Sequence, residues 1–255
     1  MIKNILSSIY SFYALFAFFI FMPIVVPFFL IVAYFPGLTP QQRTLKMLWA
    51  NNMFIAAWSF LTAFSLKKIG QEQIDPNQTY VFVANHVNML DIPLVGRHFR
   101  HYGKPLAKKE IVKIPLLGTL FKYTSFLVDR SNPESRKKAV YSMIDALKDG
   151  CSLIILPEGT RNKTAKPLQD FHAGAFKVAI AAQVPIVPMV LIGLRELQPA
   201  ASFRLYPGKI TLKYLAPIPT IGLTDADTNA LKEQVYDAIQ AVLLEEDVYW
   251  RERKE

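Results

Sequence analysis

The chain has 255 residues, 52% of them hydrophobic, and carries 29 Lys and Arg against 20 Asp and Glu, a formal charge of +9. That length builds one substantial core with room for an appended element, and the apolar share is high for a freely soluble domain. A single cysteine, Cys151, excludes a disulfide within the chain and the cysteine-rich zinc patterns, and the positive charge comes with no arginine-rich tract or nucleic-acid motif.

The apolar excess sits at the front. No charged residue occurs between Lys3 and Arg43, and residues 9–35 are apolar or aromatic almost throughout. As one helix this run reaches roughly 40 Å, beyond the roughly 30 Å hydrocarbon core, so it belongs in lipid; it is also too long for the apolar region of a cleaved signal peptide. Pro23 and Pro27 each remove an intrahelical hydrogen bond, so a kinked or re-entrant path competes with a straight span. A second uncharged stretch covers 47–66 and includes Asn51 and Asn52. Basic residues flank every end (Lys3, then Arg43 and Lys46, then Lys67 and Lys68), so charge bias selects neither two spans nor a hairpin embedded from one face. The expectation is a membrane-embedded two-helix anchor over 1–68 and a second domain over 69–255, whose basic surface suits anionic lipid and not nucleic acid.

Beyond Lys67 short apolar runs alternate with helical patterns. Residues 80–84, 125–129, 152–158, 185–193 and 209–218 read as strands, β-branched or aromatic with turn residues at their ends. Residues 131–150 read as a helix with Ser131 or Asn132 as cap, Pro133 in the first turn, an apolar face of Val140, Met143, Ile144 and Leu147, and Gly150 as the stop. Leu231, Val235, Ile239 and Val242 make one stripe of a C-terminal helix that packs on the sheet. Such alternation predicts an α/β domain, a mixed sheet flanked by helices. Two prolines in the apolar run 184–189 predict an edge strand, a bulge or a shaped pocket wall.

Chemistry concentrates in two places. In "ANHVNMLD", His86 and Asp91 would face about 140° apart in a continuous helix, so they meet only if His86 lies in the turn after a strand and Asp91 in the first turns of a following helix. Asp91 then accepts the Nδ1 proton and leaves Nε2 basic, although an isolated pair of this kind reads equally as a loop histidine bonded to a helix-capping aspartate. A metal site through His98 and His101 has no acidic partner nearby, and no Gly-x-Ser-x-Gly nucleophile elbow occurs, so a basic His86 takes its nucleophile from the substrate. In "LPEGTRNK", Gly159 permits close backbone approach and Arg161 supplies a planar fork suited to phosphate, with Glu158 beside it as anchor or orienter. The alternative is a surface turn with a solvated ion pair. Lys108, Lys109, Lys113 and Arg130 lie among apolar residues in a strip suited to a membrane interface.

In order, "NHVNMLD", "FLVDR", "LPEGTR" and "VPIVP" resemble the four motif blocks of the glycerolipid acyltransferases, the 1-acylglycerol-3-phosphate O-acyltransferase type, over roughly residues 80 to 190. The resemblance implies a transferase in which His86, oriented by Asp91, deprotonates the hydroxyl of a lysophospholipid for attack on the thioester of an acyl carrier protein or coenzyme A. A thiol pKa of about 8.5 makes the thiolate a ready leaving group, so no strong general acid and no acylated enzyme nucleophile is required. It further implies acceptor-binding roles for Lys108, Arg130, Glu158, Gly159, Thr160 and Arg161, and an acyl-donor region at Val184, Pro185, Ile186, Val187 and Pro188. No cofactor or metal is implied. The partners are the lysophospholipid, the acyl thioester and membrane lipid, in a bacterium at the cytoplasmic face of the inner membrane. Val87, Asn88, Thr124 and Leu127 depart from the usual residues of the first two blocks, which leaves another lysolipid acceptor, or a non-catalytic lipid-binding protein of the same fold, as alternatives.

Overall fold

The computed structural model of the chain describes residues 2–88, 91, 95, 102–114, 117–199 and 202–252, with side chains from residue 5 onward. Among these residues seven strands form one sheet: β1 Phe64–Ile69, β2 Val81–Ala84, β3 Gly103–Lys108, β4 Phe126–Val128, β5 Ser152–Ile155, β6 Ile186–Ile192 and β7 Gly208–Tyr214, in the order β1-β7-β6-β2-β5-β3-β4. The five strands from β6 to β4 run parallel; β7 is antiparallel to β6, and β1 is parallel to β7. The mixed sheet expected from the sequence is therefore present. It begins earlier than the 68/69 boundary, because β1 crosses that point.

Among the described residues two helices precede β1, α1 Ile2–Tyr34 and α2 Pro40–Leu61, and six more lie between and after the later strands, α3 Gly118–Thr124, α4 Pro133–Lys148, α5 Gly174–Ala182, α6 Leu194–Leu197, α7 Thr228–Glu246 and α8 Val248–Arg251. Alternation along β2 divides them between the faces. Val81 and Val83 pack with Met143 of α4, Phe176 of α5 and Val235 of α7. Phe82 and Ala84 point the other way, into a cluster with Ala14 and Ala17 of α1 and Trp58 of α2. Every residue of β2 is buried, as expected of a strand with parallel neighbours and covered on both faces.

The amino-terminal helices form a hairpin. Helix α1 runs unbroken through Pro23 and Pro27. Thr39 and Gln42 form a capping box that starts α2 with Pro40 in its first turn. Arg43 turns back to cap the end of α1, donating from Nε to the Val32 carbonyl at 3.1 Å and from Nη2 to that of Phe35 at 3.3 Å. The Trp58 indole donates to the Ala14 carbonyl at 2.8 Å, pinning the other end. The second apolar stretch does not run to residue 66 as a helix, since α2 ends at Leu61 and Phe64 opens β1. Only α1 is long and apolar enough to cross a membrane among the described residues.

Of the edge, bulge and pocket-wall readings of the prolines in residues 184–189, the structure takes the bulge at Pro188. Pro188 lies inside β6, the third strand of seven, and not at an edge. Its carbonyl accepts the Leu215 N–H at 2.9 Å, and a residue's N and C=O share one side of a strand, so the missing N–H also faces the end of β7. Between the pairs Ile186↔Ile218 and Met189↔Tyr214, three steps along β6 match four along its partner. A bulge opposite Pro188 thus absorbs the lost donor.

Candidate active site

The parallel strands deliver their carboxyl ends to one rim of the sheet, where ligands of open α/β sheets bind. There β2 ends in Asn85 and His86. The Asn85 side chain continues the pairing with β6, donating to the Leu191 carbonyl at 3.1 Å and accepting the Leu191 N–H at 2.8 Å. With the strand locked, His86 falls in the turn and Asp91 in helical conformation, as the spacing requires. His86 Nδ1 lies 2.6 Å from Asp91 Oδ2. The same carboxylate accepts the Val87 N–H at 2.6 Å and the Asn88 N–H at 3.0 Å, so Asp91 fixes the ring and the turn together.

Asp91 is fully buried, and burial pushes its carboxyl above the ordinary range, while the His86 ring and the two backbone N–H groups pull back toward the charged form. Each partner is a nitrogen able to donate, which favours a carboxylate accepting from Nδ1–H and leaves Nε2 as the free basic position. Among the described residues no serine, threonine or cysteine hydrogen-bonds to the His86 ring. Cys151 is buried at the start of β5, at the opposite rim. This arrangement suits proton abstraction from a bound hydroxyl and offers no nucleophile of its own.

Glu158, read as an anchor or orienter, instead braces the histidine. Its Oε1 accepts the His86 N–H at 2.6 Å and its Oε2 the Gln169 N–H at 2.9 Å. The His86 carbonyl is held from the same loop by the Asn162 N–H at 2.7 Å. Burial raises the Glu158 carboxyl from 4.5 to about 7. It faces His86 and Asp91 from the turn after β2, Arg195 from α6 and Tyr236 from α7. The folded value lies above the unfolded one, so the fold gains from its protonation as pH falls between the two, whereas the brace needs the ionised form. Activity is therefore expected to fall as pH drops through about 7, and Glu158→Gln, which keeps one acceptor and loses the other, should lower activity about tenfold and remove the part of the profile due to this group. Rate–pH profiles with thermal melts check this; an unchanged profile in the variant contradicts it.

Gly159 follows with φ +71° in the left-handed region, which favours glycine, and a Cβ there would press on the exposed His172 ring at 2.8 Å. Arg130 Nη1 donates to the Gly159 carbonyl, tying β4 to this turn. Thr160 and Arg161 are exposed, and the Thr160 carbonyl accepts from Gln169 Nε2 at 3.2 Å. Lys108, at the end of β3, is exposed with a 3.7 Å ion pair to Glu110. Behind the loop, buried Arg195 donates to the Asn162 carbonyl at 3.1 Å with its guanidinium 4.7 Å from the Trp250 ring centre.

A cavity of about 480 Å³ opens beside His86, bounded by the sheet, the hairpin and α3. Its wall is apolar over Phe18, Leu48, Trp58, Leu117 and Leu120; His86, Asn88, Asp91, Arg161 and Gln198, with Asn51 and Thr124 from the helices, make its polar part. The structure thus brings together His86, Asp91, Glu158, Gly159, Thr160, Arg161 and Arg130. It does not bring Val184, Pro185, Ile186, Val187 or Pro188 to the cavity. Ile186, Val187 and Pro188 pair with Val81, Phe82 and Val83 and support the central strand from the core. His98 and His101 lie outside the described residues. Sequence reading missed Asn85, Asn162, Arg195 and Gln198, whose only signal was a polar residue within or beside an apolar run.

A central parallel strand ending in a His–Asp pair on a buried carboxylate, with a Glu-Gly-Thr-Arg turn on the next strand, defines a class: the chain belongs to the Acyltransferase family, whose model matches residues 65–192. Among its relatives, the 1-acyl-sn-glycerol-3-phosphate acyltransferase of Cocos nucifera is 35% identical over 162 residues, 63% of this chain and 52% of the coconut protein, so the match spans about half of that relative. An uncharacterized acyltransferase of Schizosaccharomyces pombe is 32% identical over 203 residues, 77% of this chain and 72% of its own. The fold is that of the crystal structure of the 1-acyl-sn-glycerophosphate (LPA) acyltransferase PlsC from Thermotoga maritima, with TM-score 0.76 at 24% identity and 96% of each chain covered.

Proposed function

We propose that the protein is a membrane-bound O-acyltransferase that moves an acyl chain from an acyl carrier protein or coenzyme A thioester to the sn-2 hydroxyl of 1-acylglycerol 3-phosphate, giving phosphatidic acid. The observation that carries this reading is the His86–Asp91 pair opening on an apolar cavity with Arg161 beside it. In this reading His86 Nε2 takes the hydroxyl proton as the oxygen attacks the thioester carbonyl. The tetrahedral intermediate then expels the thiolate, and the proton on His86 leaves with the thiol or to water. Arg161 pairs with the acceptor phosphate, assisted by Arg130 and Lys108, and the apolar wall takes an acyl chain. The names of relatives such as the coconut protein and the human alpha form, 27% identical over 85% of this chain, favour this acceptor.

The hairpin serves as a re-entrant anchor in this proposal. One side of α1 packs on the protein from Ala14 to Ala33, while Phe12, Phe16, Phe19, Ile24 and Ile31 on its other side are exposed. A helix so bound along its length cannot surround itself with lipid without drawing the sheet into the bilayer, where strand edges are costly. Lying in one leaflet, it sets the cavity at the lipid surface, where lysolipid and product both reside. In a bacterial cell this is the cytoplasmic face of the inner membrane, the side that holds acyl thioesters.

The test is a panel of lysolipid acceptors in vesicles with one labelled acyl thioester. Phosphatidic acid is expected as the main product, with uncharged or zwitterionic acceptors, a lyso-ornithine lipid included, well behind. Preferential labelling of any of those would replace the acceptor assigned here.

A further inference from the structure

We propose that Gln198 binds the donor substrate through the amide N–H of the pantetheine arm nearest the thioester; this rests on the function proposed above and adds a donor subsite to it. Gln198 directly follows α6 and is fixed to the catalytic turn. Its backbone N–H donates to the Leu194 carbonyl at 3.0 Å, the same oxygen that takes the Asn88 side-chain Nδ2 at 3.2 Å. Its side-chain Nε2 donates to the Ser202 carbonyl at 3.0 Å. A carbonyl only accepts, so this bond identifies the nitrogen end of the amide and leaves Oε1 as the other.

That oxygen is buried and accepts no hydrogen bond from the described residues. Four such side-chain atoms occur among the described residues, on Asn52, Ser125, Arg195 and Gln198, and of these residues Gln198 alone lines the cavity that holds His86 and Arg161. The oxygen itself has almost no surface open to bulk or to the cavity, so a donor reaches it only when the side-chain amide turns toward the cavity. A buried acceptor without a partner is costly, and its place in this wall points to a partner that arrives with a ligand.

The chemistry of the substrates narrows the partner. An amide oxygen accepts and cannot donate. The single hydroxyl of the acceptor gives its proton to His86, its phosphate pairs with the arginine, its ester accepts only, and acyl chains carry no polar hydrogen. What remains is the pantetheine arm of the donor, the same in coenzyme A and acyl carrier protein, whose first amide nitrogen stands two carbons from the thioester sulfur. Phe203, 82% exposed, and Leu205 border the cavity beside Gln198, so an arm leaving the thioester for solvent has its exit there. The bond holds the leaving sulfur in register with the hydroxyl at His86.

The experiment compares wild type, Gln198→Met, of similar length without the oxygen, and Gln198→Glu, which keeps an acceptor oxygen. The donors are acyl-coenzyme A, acylated acyl carrier protein, the acyl N-acetylcysteamine thioester, and the acyl ethyl thioester, which lacks the amide. Gln198→Met should lower kcat/KM about three- to tenfold on the three amide-bearing donors, leave the ethyl thioester unchanged and leave acceptor KM unchanged, with Gln198→Glu closer to wild type on the amide-bearing donors. Equal loss on all four donors, loss confined to one carrier, a change in acceptor KM, or no loss would overturn the contact. Rates are taken per folded enzyme, from thermal melts of each variant, so a folding defect is removed before the donors are compared. Wild-type transfer in the same assay reports on the proposed function itself, so a flat comparison on an active enzyme rejects the Gln198 contact alone.

Discussion

Replacing His86 by alanine is expected to reduce acyl transfer by roughly 10²- to 10⁴-fold, the usual consequence of losing a general base, with binding of the protein to vesicles unchanged. The ring is only part of the machinery. Asp91→Asn should cost a comparable factor for a different reason: the side-chain amide can donate to Nδ1, which favours the tautomer with its proton on Nε2 and spoils the base while retaining much of the shape. The turn need not collapse in that variant, because Glu158, Asn162 and Asn88 hold it independently. Initial rates with flotation of the vesicles as control check both variants. Transfer at the wild-type rate by either would reject the assigned roles.

The next largest effect is expected at Arg161. It is exposed, lines the cavity, and sits on a turn held by Arg130 from one side and Gln169 from the other, so its base is rigid while its guanidinium is available. Arg161→Lys keeps the charge and loses the two-pronged geometry, and Arg161→Leu loses both. Acceptor KM should rise about tenfold in the first and about a hundredfold in the second, the range for one or more charge-assisted hydrogen bonds, with donor KM little changed. Equal changes for both substrates would place the phosphate elsewhere.

The His86–Asp91 pair was legible because its two members are five residues apart and their meeting depends only on a strand, a turn and a helix in succession. Glu158 was recognised as part of a site but its bond to the His86 N–H was not, since the partners are 72 residues apart and only the pairing of β2 with β5 brings them together. Strand β3, Gly-Lys-Pro-Leu-Ala-Lys, escaped notice because a proline and two lysines hide the pattern, and β1 because two lysines interrupt an edge strand. Val184 to Pro188 show what sequence cannot place. The resemblance implies an acyl-donor role for the segment; in the fold Ile186, Val187 and Pro188 pair with Val81, Phe82 and Val83 in the middle of the sheet, and none of the five residues lines the cavity. The cavity itself has no linear signature, since its wall is drawn from the hairpin, α3, the sheet and the loop after α6.

The measurement that bears most directly on the base mechanism is thiol release from a labelled acyl thioester, followed with and without 1-acylglycerol 3-phosphate, alongside the intact mass of the protein. If the acceptor hydroxyl, deprotonated at His86, is itself the nucleophile, one thiol appears per phosphatidic acid formed, none is released in a burst without acceptor, and the protein gains no mass. A burst of thiol in the absence of acceptor, with an acyl group found on the chain, would contradict it.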